Sequence, residues 1–211
     1  MKLRSVIFDL DGTLIDSAPS ILASMQAAFD EAGIRPTRPL SDDLIGPPLA
    51  QTLTSVLGDD HADRLSELIE RFKRHYDEAG YRSTRVYDGV HAMLQRLHQQ
   101  NLHLYIATNK RILPTRRIVQ HLGWEPLFRG LFALDYYTPP LPAKSAMLQR
   151  LRDELRQDAS DLVYVGDRAE DAEAARISGI PFLWAAWGYG GDLGSLSPET
   201  TLTAPDQLLR P

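Results

Sequence analysis

Apolar positions along the chain repeat with two different periods, and the change of period divides it. Residues 3–8 form one short apolar run that reads as a buried strand. Helical spacing follows at once. Ile21, Leu22, Met25, Phe29 and Ala32 share one face of a helix over 17–32, with Ser17 or Asp16 as its cap, Pro19 in its first turn and Gly33 as its stop. Leu49, Leu53, Val56 and Leu57 predict a second helix, and Leu65, Leu68, Ile69, Phe72 and Tyr76 a third. From about residue 16 to 86 the pattern is helical, with no strand signal. After Tyr87 helices and strands alternate. Helices are expected over 89–100, 114–122, 144–157 and 168–178, and strands over 102–107, 131–134, 162–166 and 181–186. That alternation predicts an α/β fold with a doubly wound parallel sheet. The helical block, 16–86, reads as an all-α cap domain inserted into a core built from 1–15 and 87–211, with hinges near 14–17 and 83–88.

Composition narrows the partners. A net charge of −5 argues against binding a nucleic-acid backbone, while leaving small anionic substrates open. No apolar run approaches the ~18 residues of a membrane span, and too few apolar residues precede Asp9 for a signal peptide, so a cytoplasmic location is expected. Cysteine is absent, which excludes disulfides, thiol nucleophiles and Cys-ligated zinc. The six histidines show no metal-ligand spacing. Lysine is rare (Lys2, Lys73, Lys110 and Lys144), so each one draws interest.

In doubly wound sheets ligands bind beyond the carboxyl ends of the strands. Here the strand ends are Asp9-Leu10-Asp11, Thr108-Asn109-Lys110, Lys144 after the loop Thr138-Pro139-Pro140-Leu141-Pro142, and Asp167-Arg168-Ala169-Glu170-Asp171. Asp9 and Asp11 are two apart, so in extended backbone they face the same way. Like charges at that spacing repel by ~1 kcal/mol in water and ~4 kcal/mol in a partly shielded site, which calls for a cation or a shared proton. Taken singly, each feature has a plain alternative. Asp11-Gly12 is common turn chemistry, Thr108 suits a helix cap, and Asp167 with Asp171 can be an N-cap and a surface acid. Together they supply a nucleophile, an acid/base, a hydroxyl, a cation and metal ligands, an inventory for phosphoryl transfer.

These motifs resemble the haloacid dehalogenase superfamily, in its phosphatase branch with a helical cap after the first strand of a Rossmann-like core. The matching motifs are Asp9-x-Asp11-Gly12-Thr13, Thr108, Lys144 and Gly166-Asp167-x-x-x-Asp171, and the match covers nearly the whole chain. Ile45-Gly46-Pro47-Pro48-Leu49 and Trp187-Gly188-Tyr189-Gly190 resemble the phosphoglycolate-phosphatase-like subgroup. One departure is Ser145, which follows Lys144 where the family usually has proline.

The resemblance implies that Asp9 attacks phosphorus and Asp11 acts as general acid and then base. Thr108, or Asn109 in its place, holds a phosphate oxygen, and Lys144 pairs with the phosphate and Asp9. It also implies Mg²⁺ bound by Asp9, the Asp11 backbone carbonyl and Asp167, with Asp171 supporting the metal shell or holding Lys144. Lys110 also sits at a strand end, but the family places its lysine later, at Lys144.

The substrate expected is a small phosphorylated metabolite, and the chain a monomer or homodimer. A sugar phosphomutase of the same superfamily is the alternative, disfavoured because Gly46-Pro47-Pro48 stands where mutases carry an arginine-bearing loop. Asp11 weighs against a dehalogenase, and the complete motif set weighs against a purely binding protein. Arg71, Lys73, Arg74, Arg82 and Arg85 offer possible anion contacts in the cap, although their spacing reads mostly as a solvated helix face. Trp187 and Tyr189 are expected to pack a loop.

Overall fold

The computed structural model describes residues 3–190, 193 and 197–208; Lys2 lies outside these residues. Six strands form one parallel sheet: β1 (Ser5–Phe8), β4 (His103–Thr108), β5 (Phe128–Ala133), β6 (Leu162–Gly166), β7 (Phe182–Ala185) and β8 (Thr200–Leu202), in the order β5-β4-β1-β6-β7-β8. Alternation along the strands builds a core on each face. Val6, Phe8, Leu104, Ile106, Val163 and Val165 pack against α4 (Val90–Gln99) and α5 (Ile112–His121). Ile7, Tyr105, Ala107, Leu162 and Tyr164 pack on the other face against α6 (Lys144–Leu155) and α7 (Ala169–Ser178). Strand β8 is absent from the sequence expectation; two of its three residues are exposed threonines at the sheet edge, so it carries almost no apolar signal.

Between β1 and α4 lie α1 (Ala18–Ala32), α2 (Leu49–Leu57) and α3 (Leu65–Glu78), which bury a separate cluster including Met25, Phe29, Leu53, Val56, Leu68 and Phe72. This block is not purely helical. Its two ends are stitched together by an antiparallel ribbon, β2 (Ile15–Asp16) with β3 (Arg85–Val86), pairing Ile15 with Val86 and Asp16 with Arg85. Two-residue strands are too short to show a period, and so none was expected there. The ribbon ties the entry and exit of the block at one place above the sheet.

No helix among the described residues is long and apolar enough to cross a membrane.

Candidate active site

Strand β1 ends at Phe8, and the Asp9 N–H donates to the Val165 carbonyl on β6 at 2.9 Å, which anchors Asp9 at the carboxyl end of this central strand. The chain then turns tightly. Gly12 adopts φ 85°, and a Cβ there would lie 2.2 Å from Asp167 Oδ2, so only glycine serves. Strand β4 pairs Ile106 with Phe8 and runs on to Thr108, bringing Thr108 to the same end of the sheet. Lys144 is the first residue of α6, and Asp167 directly follows β6.

The buried groups interlock. Lys144 Nζ lies 3.2 Å from Asp9 Oδ1 and 2.5 Å from Asp171 Oδ1. Asp171 also accepts from the Tyr164 hydroxyl at 3.0 Å and from the backbone N–H groups of Asp167 and Arg168 at 3.1 Å. It is thus occupied in holding Lys144 and the loop. Asp167 accepts from the Thr13 hydroxyl (3.0 Å) and the Tyr189 N–H (2.9 Å). Asp11 accepts from the Ser17 hydroxyl at 2.5 Å and, on both oxygens, from Lys110 Nζ at 3.0 Å. The Thr108 hydroxyl accepts from the Lys110 N–H (3.2 Å), and Asn109 Nδ2 donates to the Gly46 carbonyl (3.0 Å), joining the helical block to the sheet edge.

Two expectations need revision. Lys110, set aside in favour of Lys144, is buried in the site and grips Asp11. Ser17 sits at the N-cap position of α1, but neither its side chain nor that of Asp16 caps the helix: Ser17 turns to Asp11, Asp16 accepts from the Tyr189 hydroxyl at 2.7 Å, and that hydroxyl accepts from the backbone N–H groups of Ser17 (2.7 Å) and Ala18 (2.9 Å). The cap cations Arg71 and Arg74 pair with Glu31 and Lys73 with Glu70 on the surface, in keeping with the solvated helix face that their spacing suggests. Besides Lys144, the core supplies Lys110 and Arg111, which line the cavity beside Asp11. Their position in three dimensions leaves no trace in spacing, although the rarity of lysine marked Lys110.

Burial, first, and the neighbouring carboxylates Asp171 and Asp11 push the Asp9 carboxyl up to about 7 against the pull of Lys144. Burial and the charges of Asp171 and Asp9 push Asp167 up to about 8. Burial works against the Lys144 ammonium, but Asp171 and Asp9 hold its pKa above the ordinary lysine value. Asp9, Asp167 and Asp171 each present an oxygen within 4.8 Å of the others, all buried, and Asp9 Oδ1 accepts no hydrogen bond beyond its ion pair. A hard, all-oxygen donor set of mutually repelling carboxylates fits a metal ion.

The chain matches the haloacid dehalogenase-like hydrolase family over residues 6–185. It is 34% identical to a phosphoglycolate phosphatase of Xanthomonas campestris pv. campestris over 99% of its own length and 96% of that protein's. It is 33% identical to the tyrosine-protein kinase PtkA of Mycobacterium tuberculosis over 88% of its length and 62% of that protein's. A crystal structure of a predicted phosphatase from Clostridium acetobutylicum superposes with a TM-score of 0.85 at 26% identity, covering 99% of this chain and 97% of that one. The chain belongs to the haloacid dehalogenase-like hydrolases. Within them it is a phosphatase of the phosphoglycolate-phosphatase-like type.

Proposed function

We propose that the protein hydrolyses a small phosphomonoester through an aspartyl-phosphate on Asp9, with Mg²⁺ as cofactor. The observation that carries this reading is the buried Asp9–Lys144–Asp171 chain at the carboxyl edge of the sheet, beside Asp11 and Asp167. An Asp9 oxygen attacks phosphorus and the bond from phosphorus to the substrate oxygen breaks. Asp11 gives its proton to the departing alkoxide, then takes one from the water that attacks the same phosphorus and frees Asp9. Lys144 places positive charge beside the phosphoryl oxygens, where charge builds up. Thr108 and Asn109 would donate to the phosphate, Asn109 giving up its bond to the Gly46 carbonyl. Asp9, the Asp11 carbonyl and Asp167 would hold Mg²⁺, which supplies charge neutralisation when bound. Asp171 positions Lys144.

The phosphoglycolate phosphatases among the relatives support glycolate as the leaving group. A phosphomutase would use the same Asp9 and Asp11; it would interconvert sugar phosphates without releasing free phosphate.

The test is phosphate release from 4-nitrophenyl phosphate and from a panel of natural monoesters. Activity is expected with Mg²⁺, and is expected to be lost with EDTA and in Asp9→Asn. Release at the wild-type rate by Asp9→Asn removes Asp9 as the nucleophile.

A further inference from the structure

A small cavity of about 60 Å³ opens beside Asp11, between the helical block and the sheet edge. One water needs about 10–15 Å³ on the same measure, so the space suits a fragment of a few heavy atoms. Its walls are mostly apolar, with Ile21, Met25, Leu44, Ile45 and Phe72 among them. Two cations line it. Arg111 is committed to Asp77, with hydrogen bonds of 2.8 and 2.5 Å to the two carboxylate oxygens. Lys110 is different. Its side chain is only 6% exposed, its Nζ sits 4.6 Å from the centre of the Tyr76 ring, and its carboxylate partner is Asp11 itself. Two N–H groups satisfy the two Asp11 oxygens, and an ammonium has three.

Asp11 therefore belongs both to the reaction centre and to this cavity. On the phosphatase reading, a group bonded through the ester oxygen that Asp11 protonates would reach this cavity. In an apolar enclosure a neutral group finds contacts, while an anion finds one strong partner.

We propose that Lys110 is a specificity-determining residue that selects phosphomonoesters whose alcohol carries an anionic group, such as a carboxylate, within a few atoms of the ester oxygen. This rests on the phosphatase reading above. It goes further in naming a residue and the charge that residue reads. The alternative is that Lys110 only braces Asp11.

The two roles separate by comparing 2-phosphoglycolate with ethyl phosphate, which matches its two-carbon length but lacks the carboxylate. Wild type is expected to favour the acid by about 10- to 100-fold in kcat/KM, the range of one charge-assisted hydrogen bond. In Lys110→Met that ratio is expected to fall towards one, chiefly through a raised KM for the acid, and Lys110→Arg is expected to keep part of it. A ratio unchanged in Lys110→Met, with both esters slowed equally, overturns the proposal and leaves a bracing role.

Binding tests the same point without turnover. On Asp9→Asn, 2-phosphoglycolate is expected to raise Tm more than ethyl phosphate, and the excess is expected to vanish in Asp9→Asn/Lys110→Met. Equal shifts in the Asp9→Asn protein overturn the proposal. If neither these esters nor aryl phosphates are hydrolysed by wild type with Mg²⁺, the phosphatase reading fails, and the thermal shifts still decide the role of Lys110.

Discussion

At the scale of single residues, two neighbours compete for Asp11. Ser17 donates to one of its oxygens and Lys110 to both. The proposed acid role makes a clear demand on leaving groups. Asp11→Asn removes the proton donor but leaves an amide of the same shape. Alkyl esters, whose oxide is a poor leaving group, are expected to lose about 100-fold or more in kcat, within the usual reach of general acid catalysis, and aryl esters far less. Parallel measurement of ethyl and 4-nitrophenyl phosphate checks this; equal losses sink the acid role.

A second residue-scale constraint lies on Gly188. A Cβ there would meet the Gly12 carbonyl oxygen at 2.2 Å and Asp167 Oδ2 at 2.6 Å. Gly188→Ala therefore has to displace Asp167. Titration calorimetry is expected to show Mg²⁺ binding weakened about 10-fold or more, as for other groups that orient metal ligands. The carboxylates at the strand ends were legible in the sequence because a local rule placed them: an apolar run ends and a polar residue follows. Lys110 obeyed the same rule, yet its burial against Asp11 depends on Tyr76 from another element, and no local pattern reports that.

At the scale of elements, the start of α1 is held from the far end of the chain. Tyr189 follows β7, yet its hydroxyl accepts from the backbone N–H groups at the start of α1 and donates to the Asp16 carboxylate. Its own N–H grips Asp167. One residue thus ties the loop at the proposed metal site to the point where the helical block leaves the core. The partners lie 172 residues apart in sequence, which is why local capping rules nominated Ser17 and Asp16 instead. Periodicity revealed the long elements because each buries a full stripe. The β2–β3 ribbon and β8 escaped because elements of two or three residues complete no stripe. Tyr189→Phe removes the cap and leaves two backbone donors without their acceptor. It is expected to cost about 1–2 kcal/mol, a Tm lower by roughly 2–8 °C for a chain of this size. Thermal unfolding in EDTA checks this without interference from the metal.

At the scale of the whole molecule, the fold concentrates like charge in its interior and relies on a few cations to hold it. The Asp9 carboxyl is raised from 3.8 to about 7 and Asp167 from 3.8 to about 8, burial being the largest cause for each. A carboxyl raised in the folded state binds its proton more tightly there than in the unfolded chain. Its contribution to stability is complete below about 4 and is lost as pH rises through about 7 to 8. Metal-free protein is therefore expected to melt at a lower temperature at pH 8.5 than at pH 5.5. Saturating Mg²⁺ is expected to shrink that difference, because a bound cation stabilises the ionised carboxylates and adds its own binding energy to the folded state. The same linkage requires Mg²⁺ binding near pH 7 to release protons, since ligands must ionise first. Calorimetry in two buffers with different ionisation heats reads the number released directly. A release near zero at pH 7, with no pH trend in the metal-free Tm, would mean that Asp9 and Asp167 are already ionised without the metal, and that Lys144 and the surrounding donors suffice to hold them.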